Sequence, residues 1–222
     1  MYKILLKTFL FLISIFIIVV IYFSTIGIKT NKFNELIKDK LIKFDHRLNA
    51  ELEDVFLILD LAKREIKVET NNTDLYLNNS KIKLSKINID IDIFSFFKKK
   101  NKVKNIEIIT KENSIKNILI FLQSYRANFS LILLKNIIEQ GSLKAKIKIN
   151  FDKISGKYIN YLSSGEIKNA QLNLPKNKKT RNVNFIFNIK DEEYEFKNIR
   201  FELEKLIINS EKLKVIKNNN NY

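Results

Sequence analysis

No cysteine occurs in the 222 residues, which excludes a disulfide framework and any thiolate-built metal site. Glycine (4) and proline (1) are scarce, so the turns must rest on asparagine and aspartate, with Asn71–Asn72, Asn78–Asn79 and Asp191 as the candidates. With only Gly27, Gly141, Gly156 and Gly165 in the chain, no glycine-rich phosphate loop can be drawn. The one histidine, His46, would need carboxylates around it to hold a metal, and its position ahead of an alternating run reads as a strand entry. Asp90 and Asp92 lie two residues apart on the polar side of one run. Such a pair can do acid–base work or bind a cation, but cross-strand pairing with lysines explains it more economically. No catalytic constellation and no cofactor motif emerges, and the chain reads as a non-enzyme.

What the chain has in quantity is apolar surface and lysine. A hydrophobic content of 45% is enough to offset ordering entropy and argues against disorder. The formal net charge of +16 raises nucleic acid or an anionic membrane as a partner. The lysines, however, are spread between apolar residues along alternating runs. Only Lys98–Lys99–Lys100 with Lys102 and Lys104, and Lys176 to Arg181, form clusters. Both read as exposed loops or lipid-headgroup contacts, so no nucleic-acid partner is expected.

Thr8 to Ile28 carries no charge and as a helix at about 1.5 Å per residue spans roughly 31 Å, close to a hydrocarbon core of about 30 Å. Thr8, Phe11, Ile15, Val19, Tyr22 and Ile26 mark this anchor, with Lys3 and Lys7 before it and Lys29 after it to reach headgroups. A cleavable signal peptide would have a shorter apolar region ending in small residues, which Phe23–Ser24–Thr25–Ile26–Gly27 does not supply. Orientation stays open. Lys3 and Lys7 face Lys29, Lys32, Lys38, Lys40 and Lys43, which by count puts the large domain in the cytoplasm, whereas a short N-terminal tail of this kind usually stays inside.

Thr30 to Phe44 reads as an amphipathic helix with Phe33, Leu36, Ile37, Leu41 and Phe44 on one stripe and Thr30 or Asn31 as its cap. From residue 45 to 217 period-two alternation dominates. In Lys81–Ile93 the parity changes between Leu84 and Ile87, which predicts a bulge at Ser85–Lys86. Leu143–Phe151 and Val183–Ile189 alternate throughout, and further strands are expected at Leu48–Leu61, Glu65–Thr70, Asp74–Asn78, Val103–Thr110, Tyr158–Leu162, Glu166–Leu174, Tyr194–Leu203 and Leu213–Lys217. Ser114–Tyr125, capped by Asn113 or Ser114, and Phe129–Ile138, ended by Gly141, read as short helices. Residues 218–222 read as a disordered tail. The expected fold is mainly β: an N-terminal transmembrane helix (1–29), a juxtamembrane helix (30–44) and an elongated, curled antiparallel sheet (45–217). Alternation alone leaves open whether its apolar face closes into a sandwich or barrel or stays an open groove.

The order of these elements, with VKNIEIITKENSIKNILIFLQSYR (Val103 to Arg126), a strand opening on Gly141–Ser142–Leu143, and FDKISGKYINYLSSGEIKNAQLNL (Phe151 to Leu174), resembles the N-terminal region of the AsmA-like superfamily over Met1 to Leu203. The resemblance implies a bacterial inner-membrane protein, single-pass, with a periplasmic β-groove that shields phospholipid acyl chains during transport or outer-membrane biogenesis. Ile87, Ile89, Ile91, Ile147, Ile149, Phe185 and Phe187 are the candidate groove residues. Roughly ten to twelve strands at about 4.8 Å each would make a trough of only about 50–60 Å, so the chain is expected to be a fragment, a truncated paralogue, or one unit of a conduit that other envelope proteins complete. The competing expectation is a non-transport envelope protein whose β domain docks a partner, in the manner of the single-pass component of the lipopolysaccharide bridge (LptC-like).

Overall fold

The computed structural model describes residues 2–29, 32–94, 103–126, 128–152, 155, 157–175 and 178–217. The expected cap at Thr30 or Asn31, Lys98–Lys99–Lys100 with Lys102, Lys176, Gly156 and the 218–222 tail lie outside the described residues, as do the side chains of Phe33, Leu36 and Phe44.

The first element, α1 (Tyr2–Thr25), is 24 residues long with no buried residue and extends about 36 Å. One helix is thus long and apolar enough to cross a membrane. Both of its threonine hydroxyls bond back to the helix, Thr8 Oγ1 donating to the Ile4 carbonyl at 3.0 Å and Thr25 Oγ1 to that of Ile21 at 2.8 Å, which suits an apolar surrounding. Ile26 lies just past the helix end. There Gly27 takes φ 74°, and its amide donates to the Tyr22 carbonyl at 3.3 Å, a left-handed helix stop that glycine adopts freely. The chain then enters β1 (Ile28–Lys29) at once, pairing Ile28 with Leu57. A Cβ at position 27 would stand 2.7 Å from the Leu57 carbonyl oxygen.

After α2 (Lys32–Phe44) come β2 (Leu48–Glu51), β3 (Asp54–Asp60), β4 (Glu65–Leu77), β5 (Ser80–Asp92), β6 (Val103–Thr110), β7 (Asn113–Ser114), α3 (Ile115–Tyr125), α4 (Phe129–Ile137), β8 (Ile138–Phe151), β9 (Tyr158–Leu174), β10 (Lys178–Lys190), β11 (Glu193–Leu203) and β12 (Leu206–Ile216). They form one open 12-stranded sheet in the order β1-β3-β4-β5-β6-β8-β9-β10-β11-β12, with β2 on β4 and β7 on β8. Every pairing is antiparallel. Nine spacings of about 4.8 Å carry the sheet about 43 Å from β1 to β12.

Several strand limits differ from the periodicity. Leu48–Leu61 is two strands, because β2 and β3 pair with opposite halves of the 13-residue β4. Glu65–Thr70 and Asp74–Asn78 are instead one strand, as are Tyr158–Leu162 and Glu166–Leu174. Gly141 does not end α4. It lies inside β8 with φ 133°, since the chain passes from helix to strand at Ile138 without a loop. Lys104 and Lys178–Arg181 likewise sit in strands rather than loops.

Residues in the left-handed conformation unify the long strands. Asn72, Asn169, Asn182 and Asn198 have φ of 51°, 51°, 53° and 52°, a region that asparagine tolerates better than other side chains. Each offsets the alternation by one residue, so the side chain two positions before it and the one directly after it face the same way. Thr70 and Thr73 are thereby brought within 3.0 Å of each other, and Thr180 joins Val183, and Phe196 joins Ile199, on one surface. The expected bulge in β5 is present as a register shift between Leu84 and Lys86. Across β9, β10 and β11 these irregularities line up. The Asn169 amide donates to Asn184 Oδ1 at 2.9 Å, Asn184 Nδ2 to the Asn182 carbonyl at 2.6 Å, and Asn182 Nδ2 to Glu202 Oε1 at 2.9 Å. They form a crease across the strands with the apolar face inside.

Because Asn198 is exposed, its substitution tests the backbone alone. Asn198→Val is expected to cost about 1–2 kcal/mol through the left-handed φ, and Asn198→Gly a few tenths at most; urea unfolding of the two variants reads the difference. The hairpins use the same chemistry, with Arg64, Asn78, Asp191 and Glu204 at φ 50–56°. Asn78 and Asp191 occupy the turn positions expected of them.

Two apolar clusters pin the helices to the inner face. Leu48, Leu77, Ile82, Leu84 and Phe121 form one, with Leu41 of α2 and Ile118 against it. Ile115, Leu119, Ala170 and Val183 form the other, joined by Leu131 of α4. Asn113 ties the start of α3 to β5, accepting from the Lys83 amide at 2.8 Å and donating to the Lys83 carbonyl at 2.9 Å, while Ser114 makes no side-chain cap bond. At the other end of α3, Arg47 Nη1 donates to the Ser124 carbonyl at 2.9 Å while its Nε and Nη2 grip Asp45 at 2.9 and 2.6 Å. Hydrogen bonds from the Arg47 side chain and then its amide lower the Asp45 carboxyl from 3.8 to about 2. A lowered folded value means that this pairing is present above about pH 4 and is lost as the pH falls to about 2. Titration of Asp45 by NMR is expected to show that midpoint in the native chain, and Arg47→Gln to move it back towards 3.8.

Candidate functional site

The two faces of the sheet differ in kind. On the outer face lysines and carboxylates alternate across strands: Lys86 meets Glu69 at 2.8 Å, Lys104 meets Glu65 at 3.1 Å and Asp92 at 3.6 Å, Lys146 meets Glu107 at 2.9 Å, and Lys214 meets Glu193 at 3.2 Å. Lys197 and Lys212 both reach Glu195, and their hydrogen bonds lower its carboxyl. Exposed pairs of this type contribute little each, but they explain where a large part of the lysine goes. Asp92 thus has the lysine partner expected of it. Asp90 stands opposite Lys67, with Oδ1 buried and lacking a hydrogen-bond partner. His46 is an exposed turn residue ahead of β2. Among the described residues no group of three His, Asp or Glu side chains is placed to hold a metal.

The inner face is largely apolar, interrupted by Thr70 on β4 and Ser163 on β9. Register places Leu57 beside Val68, Val68 beside Ile89, Ile89 beside Ile106 and Ile106 beside Ile149. In the next row Thr70, Ile87, Ile108 and Ile147 follow one another. Five of the candidate groove residues, Ile87, Ile89, Ile91, Ile147 and Ile149, therefore share one strip. Ile87 is partly covered by the cluster under α3, together with Ile108. Ile89, Ile91, Ile147 and Ile149 stay half-buried, with no second sheet over them among the described residues.

The two phenylalanines lie farther along and differ from each other. Phe187 is only 8% exposed because its ring lies over Gly165, its cross-strand partner. It is a structural residue of the trough floor more than a contact surface. Phe185 packs edge-on against Phe196, ring centres 5.6 Å apart, and both line an open cavity of about 400 Å³ with Leu172, Val183, Phe201 and Leu213. Its one polar lining side chain is Thr180, whose Oγ1 is buried without a hydrogen-bond partner.

Ile106 and Ile108 bridge the isoleucines of β5 to those of β8, yet no candidate came from β6. Their alternation with Glu107 in Val103–Thr110 carries the signal. The cavity residues beyond Asn182 and Asn198 were hidden for another reason: the parity change at each bulge makes Thr180 and Ile199 look as if they face outward.

Comparison with protein-family models, with curated proteins and with solved structures finds no match. What the geometry defines is a class: a β-trough with an open apolar face, joined directly to a helix long and apolar enough to span a membrane.

Proposed function

We propose that this chain is a lipid-handling protein of the bacterial envelope, similar to the AsmA-like superfamily, anchored in the inner membrane with its trough in the periplasm. The observation that carries the reading is the largely apolar inner face of a sheet ten hydrogen-bonded strands wide, over part of which α2, α3 and α4 are the only elements packed among the described residues. Exposed apolar surface on that scale serves a partner, and its elongated form suits acyl chains better than a globular ligand. The mechanism is passive. Acyl chains lie on the isoleucine strip and in the cavity around Phe185, at about 25 cal/mol per Å² of apolar area removed from water. Headgroups stay at the rim in water, and no chemistry is required.

Mass spectrometry of lipid extracted from the purified full chain tests this. Phospholipid in near-stoichiometric amount is the expected result, and a folded, monodisperse chain free of lipid would overturn it. The second reading, a docking module in an envelope complex, is favoured by one observation: among the described residues no strand pairs with the outer edge of β12, which exposes Leu206, Ile207, Val215 and Ile216. A lipid-free chain that gains a strand-pairing partner through β12 would support it.

A further inference from the structure

We infer that the α3–α4 hairpin is a second membrane-contacting element, which rests its outward face on an anionic bilayer. A helix that only completes a core turns its apolar side inward, and α4 does not. Leu131 points to the sheet, while Phe129 is 72% exposed, and Ile132, Leu133 and Leu134 are exposed as well. Phe129, Ile132 and Leu133 follow i, i+3, i+4 spacing, so they form one ridge. Leu122 of α3 adds to the same exposed apolar surface. Outside this hairpin, exposed apolar side chains concentrate on α1, on the edge strand β12 and at the start of β9, at Tyr158, Ile159 and Leu162.

Charge names the occupant. From Ile115 to Ile137 the sequence holds Lys116, Arg126 and Lys135 and no acidic residue, in a chain with 24 acidic residues. On the sheet, by contrast, lysines are interleaved with carboxylates and paired with them. An apolar ridge of aromatic and aliphatic residues on a hairpin whose own charged residues are all cations, with Glu139 beyond it paired to Lys179, is the signature of an interfacial helix on anionic lipid. A protein partner would instead be expected to meet a surface of mixed charge. The hairpin is held by packing rather than by a hinge: Asn128 caps α4 through the Ser130 amide at 2.9 Å, and α3 is locked between the two clusters. The ridge is therefore presented in a fixed direction. This contact is independent of whether the trough carries lipid. If it does, the hairpin would bring the trough beside a lipid source.

The absence of native cysteine gives a clean test. Ile132→Cys in the full chain, labelled with a polarity-sensitive fluorophore, is placed in nanodiscs of phosphatidylcholine with or without phosphatidylglycerol. Quencher-bearing lipid goes into the disc in one arm and into added vesicles in the other, so that contact with the anchor's own bilayer and with a facing bilayer read separately. Quenching in either arm that requires phosphatidylglycerol and weakens with salt is the expected result. Neutralising Lys116, Arg126 or Lys135 to glutamine should cut vesicle or disc engagement by about fivefold for each. Phe129→Ser with Leu133→Ser should abolish the quenching and leave thermal unfolding unchanged. A probe as solvent-exposed as one on the outer face, at Asn188→Cys, overturns the inference. So does a probe shielded without lipid quenching, which would place the ridge against the trough or a second copy of the chain. Quenching indifferent to phosphatidylglycerol overturns the charge argument.

Discussion

Ile147→Asp is expected to strip the purified chain of co-purifying lipid while leaving it folded. Ile147 lies between Ile108 and Ser163 on the inner face and belongs to neither buried cluster. The carboxylate can therefore reach water in the empty trough, and the cost to folding stays within about 2 kcal/mol. A bound acyl chain has no such escape. Losing about 100 Å² of apolar contact removes about 2.5 kcal/mol, or roughly 70-fold in affinity, before the cost of desolvating the charge is added. Ile89→Asp, one row across, should act the same way. Lys144→Asp, on the outer face of the same strand as Ile147, should leave lipid content unchanged. Extracted lipid measured alongside circular dichroism separates the outcomes, and unfolding of both inner-face variants would mean that the strip is a closed core.

Gly165→Val is expected to be the most damaging single change in the sheet. A Cβ there would run into the Lys144 carbonyl oxygen and stand 2.6 Å from the Phe187 ring. The ring could turn aside, but the carbonyl belongs to a ladder fixed on both sides by β8 and β9. We expect about 3 kcal/mol of destabilisation, which for a domain of this size lowers Tm by about 6–12 °C. Phe187→Ala would relieve only the ring contact, so the double variant should stay destabilised. Thermal unfolding of both would show whether the close approach of strands at Gly165 matters more than the aromatic above it.

Why Gly165 escapes a reading of the sequence is instructive. Ser163–Ser164–Gly165 looks like a break between two strands, because small polar residues and glycine weaken a strand in isolation. A cross-strand aromatic 22 residues away supplies the missing packing, and only the register reveals it. The alternation of Ile87, Ile89 and Ile91 with charged or polar residues, and of Ile147 and Ile149 with lysines, was legible because both faces of a half-buried strand are written in a local period of two. The bulge at Ser85 was legible for the same reason. The bulges at Asn169, Asn182 and Asn198 could have been read from a repeated phrase, a basic residue, then asparagine, then an apolar residue: Lys168–Asn169–Ala170, Arg181–Asn182–Val183 and Lys197–Asn198–Ile199. Abundant asparagine obscured it. The openness of the sheet was not legible at all, since alternation is identical whether an apolar face meets another sheet or a solvent-filled trough.

Gly27 bears on how such a chain could work. Many membrane-tethered domains hang from a supple linker and sample a hemisphere of positions. Here only Ile26 and Gly27 separate the end of α1 from the first sheet pairing, and Lys29 adds an ion pair to Asp54 at 2.6 Å. The domain can thus neither swivel nor reach. With α1 across a bilayer, as proposed, the domain's height and tilt would be inherited from the helix, like a mast stepped through a deck. Search would then be left to lateral diffusion, and lengthening this joint with a few flexible residues would change the geometry of the proposed delivery without touching a single contact in the trough.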